Sequence, residues 1–143
     1  MTVLASAALA ACGHSTGGST AATTTTVDAH AVATYVATVQ ADVTQAEDKI
    51  VTTIDSESNG FGVGAWAAAY HDLAATLRAL TPPPSLAAQH RVLLADAINI
   101  AREADAVAAL PLTMAVRQQR DSRKEALATR RQEFVAKVAQ LGS

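Results

Sequence analysis

Histidine and carboxylate are the side chains here best suited to hold a metal, and His71, Asp72 and His90 are the set that a helical hairpin can gather. Two imidazoles with a carboxylate suit zinc or copper, and two imidazoles alone suit a haem iron. A hairpin folded about Pro82 is expected to leave His71 and His90 about one helical turn apart in height. Against this metal- or haem-binding reading stands the spacing. The chain has no Glu-x-x-His, no Cys-x-x-Cys-His and no His-x₃-His, and Met114 falls at the far end of a bundle from His90. A histidine satisfied on the flank of a core is the preferred reading for both, and His14 and His30 are read as solvated.

Nucleophiles are scarcer still. After Thr26 the serines are Ser56, Ser58, Ser85, Ser122 and Ser143, none within a Gly-x-Ser-x-Gly elbow, and no phosphate-binding loop occurs. No enzyme and no cofactor are therefore expected. A ligand or partner patch has better material. Trp66 and Tyr70 share one face of a helix, and in the last helix the apolar stripe is interrupted by Gln119, Arg120, Arg123 and Lys124. Such a gap admits an anionic small molecule or a partner helix. The plainer alternative is that the aromatics fill the core and long arginine stems cover the seam.

These residues need elements to position them. Alanine supplies 34 of 143 residues, beside one Trp, two Tyr and two Phe, so the composition favours closely packed helices over a sandwich or barrel. Net charge is −2, with seven basic and three acidic residues after Pro111 and four basic and ten acidic up to it. The basic groups are interleaved with Asp121 and Glu125 and lack stacking aromatics, so no nucleic-acid partner is expected. A single cysteine excludes an internal disulfide or a thiolate zinc site. No apolar run approaches the ~20 residues of a membrane span.

From Asp28, a plausible N-cap, Val32, Val36, Val39, Val43, Ala46, Ile50 and Ile54 step by three and four as a helical stripe does. This first helix is expected to end near Glu57, before the turn chemistry of Ser58 to Gly62. Val63, Trp66, Tyr70, Leu73, Leu77 and Leu80 mark a second helix, stopped at Thr81-Pro82-Pro83 because the residue before proline is driven from the α region. Pro84 opens a third helix carrying Leu86, Leu93, Leu94, Ala97, Ile98, Ala101, Ala104 and Val107. Pro111 interrupts it, and Thr113 is the expected cap of a fourth helix running to about Leu141, with Gly142 as terminator.

The predicted fold is all-α, an antiparallel up-down-up-down four-helix bundle; a three-helix bundle whose last helix kinks at Pro111 is the alternative. In that topology the first and last helices are neighbours. Counting back from Glu57 and forward from Thr113 places Glu47 and Asp48 level with Arg123 and Lys124, and Asp55 near Arg117.

The amino-terminal residues carry the placement. Leu9-Ala10-Ala11-Cys12, after the apolar lead-in Met1 to Ala8, resembles the bacterial lipobox, an aliphatic residue and two small residues before cysteine. That resemblance implies a signal peptide over 1–11, with its true start expected upstream of Met1, and a diacylglyceryl group on Cys12, which becomes the new amino terminus. Residues 12–27, rich in Gly, Ser and Thr, read as a flexible tether with an end-to-end distance of roughly 20 Å, leaving 28–143 as the bundle. The passage Leu77 to Leu94, "LRALTPPPSLAAQHRVLL", resembles a pattern in small actinobacterial-type helical lipoproteins that carry no assigned activity. Together these imply an extracytoplasmic, lipid-anchored protein of a bacterial membrane, with palmitate on Cys12. Its expected partners are the membrane and an envelope protein, the cell wall or a small ligand.

Overall fold

The computed structural model describes residues 20–56 and 62–143, with side chains described from 28 to 53 and from 62 onward. These residues form four helices and no strand: α1 (Thr20–Ser56), α2 (Val63–Ala79), α3 (Ala87–Ala108) and α4 (Met114–Ala139). Cys12, His14, the lipobox and the turn from Ser58 to Phe61 lie outside the described residues.

Neighbours in sequence pack as neighbours in space, and α4 closes the ring against α1. Each seam carries a polar tie: the ion pair Lys49–Asp72 between α1 and α2, the hydrogen bond His71–Asp105 between α2 and α3, and the ion pairs Lys137–Asp96 between α3 and α4 and Arg131–Glu47 between α4 and α1. A second α3–α4 pair, Arg130–Glu103, steps in opposite directions along the two helices from Lys137–Asp96, as antiparallel neighbours require. The up-down-up-down four-helix bundle is thus the observed fold. Pro111 ends α3 rather than kinking it, which removes the three-helix alternative: α3 stops at Ala108 and a new helix begins at Met114.

The core follows from the stripes. On α1 the buried residues are Tyr35, Val39, Val43, Ala46 and Ile50, with Val32 and Val36 only partly covered. On α2 and α3 alanines recur in the buried set (Ala67, Ala69 and Ala74; Ala97, Ala101 and Ala104), and these two helices share the most extensive seam. Small side chains let two backbones approach closely, so every larger neighbour gains contact atoms. Threonine hydroxyls on α1 turn inward to their own helix, Thr38 to the Thr34 carbonyl and Thr44 to the Gln40 carbonyl, both at 2.9 Å. Such back-bonding makes a Thr-rich helix tolerable without outside partners.

Four expectations need correction. First, α1 begins at Thr20, two turns before Asp28, so Asp28 is not its cap and the stretch from Thr20 to Val27, expected in the tether, is helical. No glycine or proline lies between Ser19 and Ser58 to stop the helix. Second, Thr113 occupies the N-cap position of α4 with extended geometry (φ −101°, ψ 153°), but its side chain makes no capping bond; its carbonyl accepts from the Val116 N–H at 3.2 Å. Third, Glu47 meets Arg131, two turns beyond the expected Arg123, because the first two turns of α4 project past the end of α1 and counting from Thr113 starts too high. The expected Asp55–Arg117 pair lies outside the described side chains.

The fourth concerns the Pro-rich connection. Leu80 (φ −75°, ψ 142°) and Pro83 (φ −56°, ψ 148°) are extended, and the chain then makes one 3₁₀ turn, Pro84–Leu86, before α3. Extended residues advance about 3 Å each along their path, twice the helical rise. The connection therefore carries the start of α3 beyond the end of α2 before the chain turns back. Gly142 ends the chain's last turn as expected, with φ +83°, and sits against Val36 of α1.

Candidate functional site

The aromatic pair Trp66 and Tyr70 lies where α1, α2 and α4 meet, and both rings are buried. Spacing of four residues puts them on one face of α2, one turn apart. Tyr70 Oη donates to Glu47 Oε1 at 2.8 Å. From α4, Arg131 donates through Nη2 to Glu47 Oε2 and through Nε to Oε1, the latter at 3.4 Å. The same guanidinium stands over the Trp66 ring, 4.3 Å from its centroid, and Lys124 Nζ stands 5.9 Å from it. Both distances are within reach of cation–π attraction. Phe134 closes the other side, edge-on to Tyr70 with centroids 5.6 Å apart.

The electrostatics make this cluster a clamp. Burial pushes the Tyr70 phenol well above its usual range, and the Glu47 carboxylate adds to the shift through charge and hydrogen bond while Arg131 opposes it. Tyr70 is therefore a permanent neutral donor. The Glu47 oxygens accept from Tyr70 and Arg131 together, so the acid, the base and the phenol hold one another in place. On its outer side the Glu47–Arg131 pair walls a crevice of about 480 Å³ whose remaining lining is Gln132 and the small or apolar Ala128, Val135, Ala136 and Ala139. The Trp66 Nε1 donor is buried without an acceptor in the structure, a cost that the cations stacked on its ring offset.

Of the expected patch, Trp66, Tyr70 and Lys124 come together, and Arg120 is buried with Nη1 3.5 Å from the Leu110 carbonyl oxygen. Gln119 and Arg123 are exposed and take no part. The residues that complete the cluster, Glu47 and Arg131, were not singled out as site residues; the available signal was the i, i+4 run Leu127–Arg131 beside Phe134.

The two histidines are not brought together. His71 is half-exposed on α2, its Nε2 2.8 Å from Asp105 Oδ2. His90 is buried on α3, its Nδ1 2.6 Å from Tyr35 Oη, with the rings edge-to-face at 6.0 Å. Asp105 and His90 belong to one helix and stand about 22 Å apart along it. A single ion or haem cannot take both imidazoles, which corrects the expected one-turn separation; the extended Leu80–Pro83 connection is the cause. Asp72, the carboxylate expected beside them, instead pairs with Lys49 at 3.0 Å. Among the described residues no group of three or more His, Cys, Asp or Glu is placed to hold a metal.

Fold and site together define an all-α four-helix protein with an internal polar clamp. No protein-family model, no curated protein and no solved structure matches the chain.

Proposed function

We propose that this chain is a lipid-anchored, extracytoplasmic helical-bundle protein of the bacterial cell envelope that acts by binding or by structural support, without catalysis. The observation that carries the reading is Leu9-Ala10-Ala11-Cys12 at the end of an apolar lead-in. A diacylglyceryl group on the Cys12 sulfur, with a further acyl chain on the new amino terminus, gives the two or more chains that stable anchoring needs. Among the described residues no helix is long and apolar enough to cross a membrane, so this reading attaches the chain through that sulfur. The non-catalytic part rests on the sequence, which has no Gly-x-Ser-x-Gly elbow and no phosphate-binding loop. An envelope protein, a cell-wall polymer or a small ligand is the partner class this reading allows.

Labelling tests it. In a bacterium fed radioactive palmitate, the full chain is expected to carry label and to pellet with membranes, and Cys12→Ala is expected to lose both. An unlabelled parent chain in the soluble fraction would overturn the proposal. Because the chain has one cysteine, the label has one thiol to report.

A further inference from the structure

Two ion pairs tie α3 to α4 at levels two turns apart: Asp96 with Lys137 at 2.7 Å, and Glu103 with Arg130. Two helical turns separate the pairs by about 10 Å. Between them the seam opens into a recess of about 180 Å³. Its floor is Ile100 and Phe134, both buried. On its rim stand Asn99 of α3 and Glu133 of α4, each lying on its helix between the two ion-paired residues. Asn99 and Glu133 are exposed, and neither has a hydrogen bond or ion pair among the described residues. The end pairs also keep donors in reserve. A guanidinium carries five N–H groups and an ammonium three, and Arg130 and Lys137 are both half-exposed.

We propose that this recess binds a small zwitterion of the α-amino acid class. Its ammonium group meets the Glu133 carboxylate, its carboxylate takes the reserve N–H groups of Arg130 or Lys137, and its side chain lies over Ile100 and Phe134. Asn99 offers an amide to either end. Three observations select this ligand. Glu133 is the acid of the recess that no base neutralises, so it calls for a cation. The bases on either side of it call for an anion close to that cation, and charge-assisted bonds to both give the site its selectivity. The volume equals that of about six waters, enough for one amino acid and too little for a peptide. The buried floor favours an aliphatic side chain over a polar one. The inference narrows the small-ligand class of the reading above without resting on the Cys12 anchor, because the recess is built from α3 and α4 alone.

A titration followed in amide NMR spectra tests it, using the full chain as Cys12→Ser so that no attached lipid contributes. The probe is L-leucine, beside its two halves: isoamylamine, which keeps the ammonium, and 4-methylpentanoate, which keeps the carboxylate. L-Leucine is expected to shift the Asn99 side-chain amide with a dissociation constant of about 1 mM, and each half to bind about ten-fold more weakly. Glu133→Gln is expected to weaken leucine about ten-fold while leaving 4-methylpentanoate as it was. Glu133 is exposed and unbonded, so an unchanged unfolding midpoint is expected to accompany that loss. No shift at Asn99 or Ile100 with leucine up to about 50 mM would overturn the proposal. Undiminished leucine binding by Glu133→Gln would overturn it too, as would isoamylamine binding as tightly as leucine, which would make the recess a site for an ammonium group alone. Each of those failures leaves the palmitate label on Cys12 to be read separately.

Discussion

Arg131 and Arg117 belong to the same helix and carry the same charge, yet their surroundings divide the molecule into two regions. Arg131 lies over Trp66 and is paired with Glu47, its side chain only 14% exposed. Arg117 is 71% exposed, with one acid 4.0 Å away and bare leucine and methionine above it. The first arginine is fixed by partners from two other helices. The second faces water beside an acid of its own helix. A charge that is satisfied internally stabilises one arrangement of helices, and a charge left in water contributes little to it.

The two regions are separable by mutation, and the largest effect belongs to the clamp. Arg131→Ala leaves the Glu47 carboxylate half-buried without its counter-ion and uncovers Trp66, so a loss of about 2–3 kcal/mol is expected in denaturant unfolding. A variant within experimental error of the parent would show that the clamp is ornamental. High pH attacks the same region from another side. Burial raises the phenols of both Tyr35 and Tyr70 above their usual value of 10.0. A group whose folded pKa is raised favours folding fully below its unfolded pKa and loses that contribution as pH climbs towards the folded value. Stability is therefore expected to fall above pH 10, by up to about 1.4 kcal/mol per phenol per pH unit. As these are the only tyrosines, tyrosinate absorbance is expected to rise with unfolding and not before it.

Smaller effects sharpen the contrast. Gly142→Ala demands a positive φ of 83° from an L side chain and brings its Cβ to 2.9 Å from Val36 Cγ2, so about 1 kcal/mol is expected to be lost in thermal unfolding. Tyr70→Phe removes the hydrogen bond to Glu47 while keeping the ring against Phe134, and about 1 kcal/mol is expected. At the α3–α4 turn, Leu112→Ser touches no buried surface and is expected to change stability by less than about 0.5 kcal/mol. A cost as large as that of Arg131→Ala would mean that the turn is part of the packed core.

What the sequence made legible was punctuation and periodicity. Prolines 82–84 and 111 separate helices where they were expected to, and the stripes on α1, α2 and α3 point inward. Heights were less accessible, because they depend on how far each connection travels before the chain reverses. The non-helical connection Leu80–Pro83, extended at both ends, displaces His90 from His71, and a two-turn projection of α4 shifts Glu47 from Arg123 to Arg131. Neither displacement leaves a mark on hydrophobic period. The Trp66–Tyr70 pair was legible as a feature, whereas its nature as a clamp depended on the arginine that the register delivers. Tyr35 was overlooked because Val32 and Val36 continue the same four-residue step. At this end of α1 burial falls on Tyr35, beside His90, while Val32 and Val36 are only partly covered.

The anchor remains the centre of the account, and the intact mass of the chain extracted from its own membranes tests it most directly. The predicted species begins at Cys12 and is heavier than its peptide by a diacylglyceryl group and an amide-linked acyl chain. A chain still carrying Leu9-Ala10-Ala11 ahead of an unmodified thiol would contradict it.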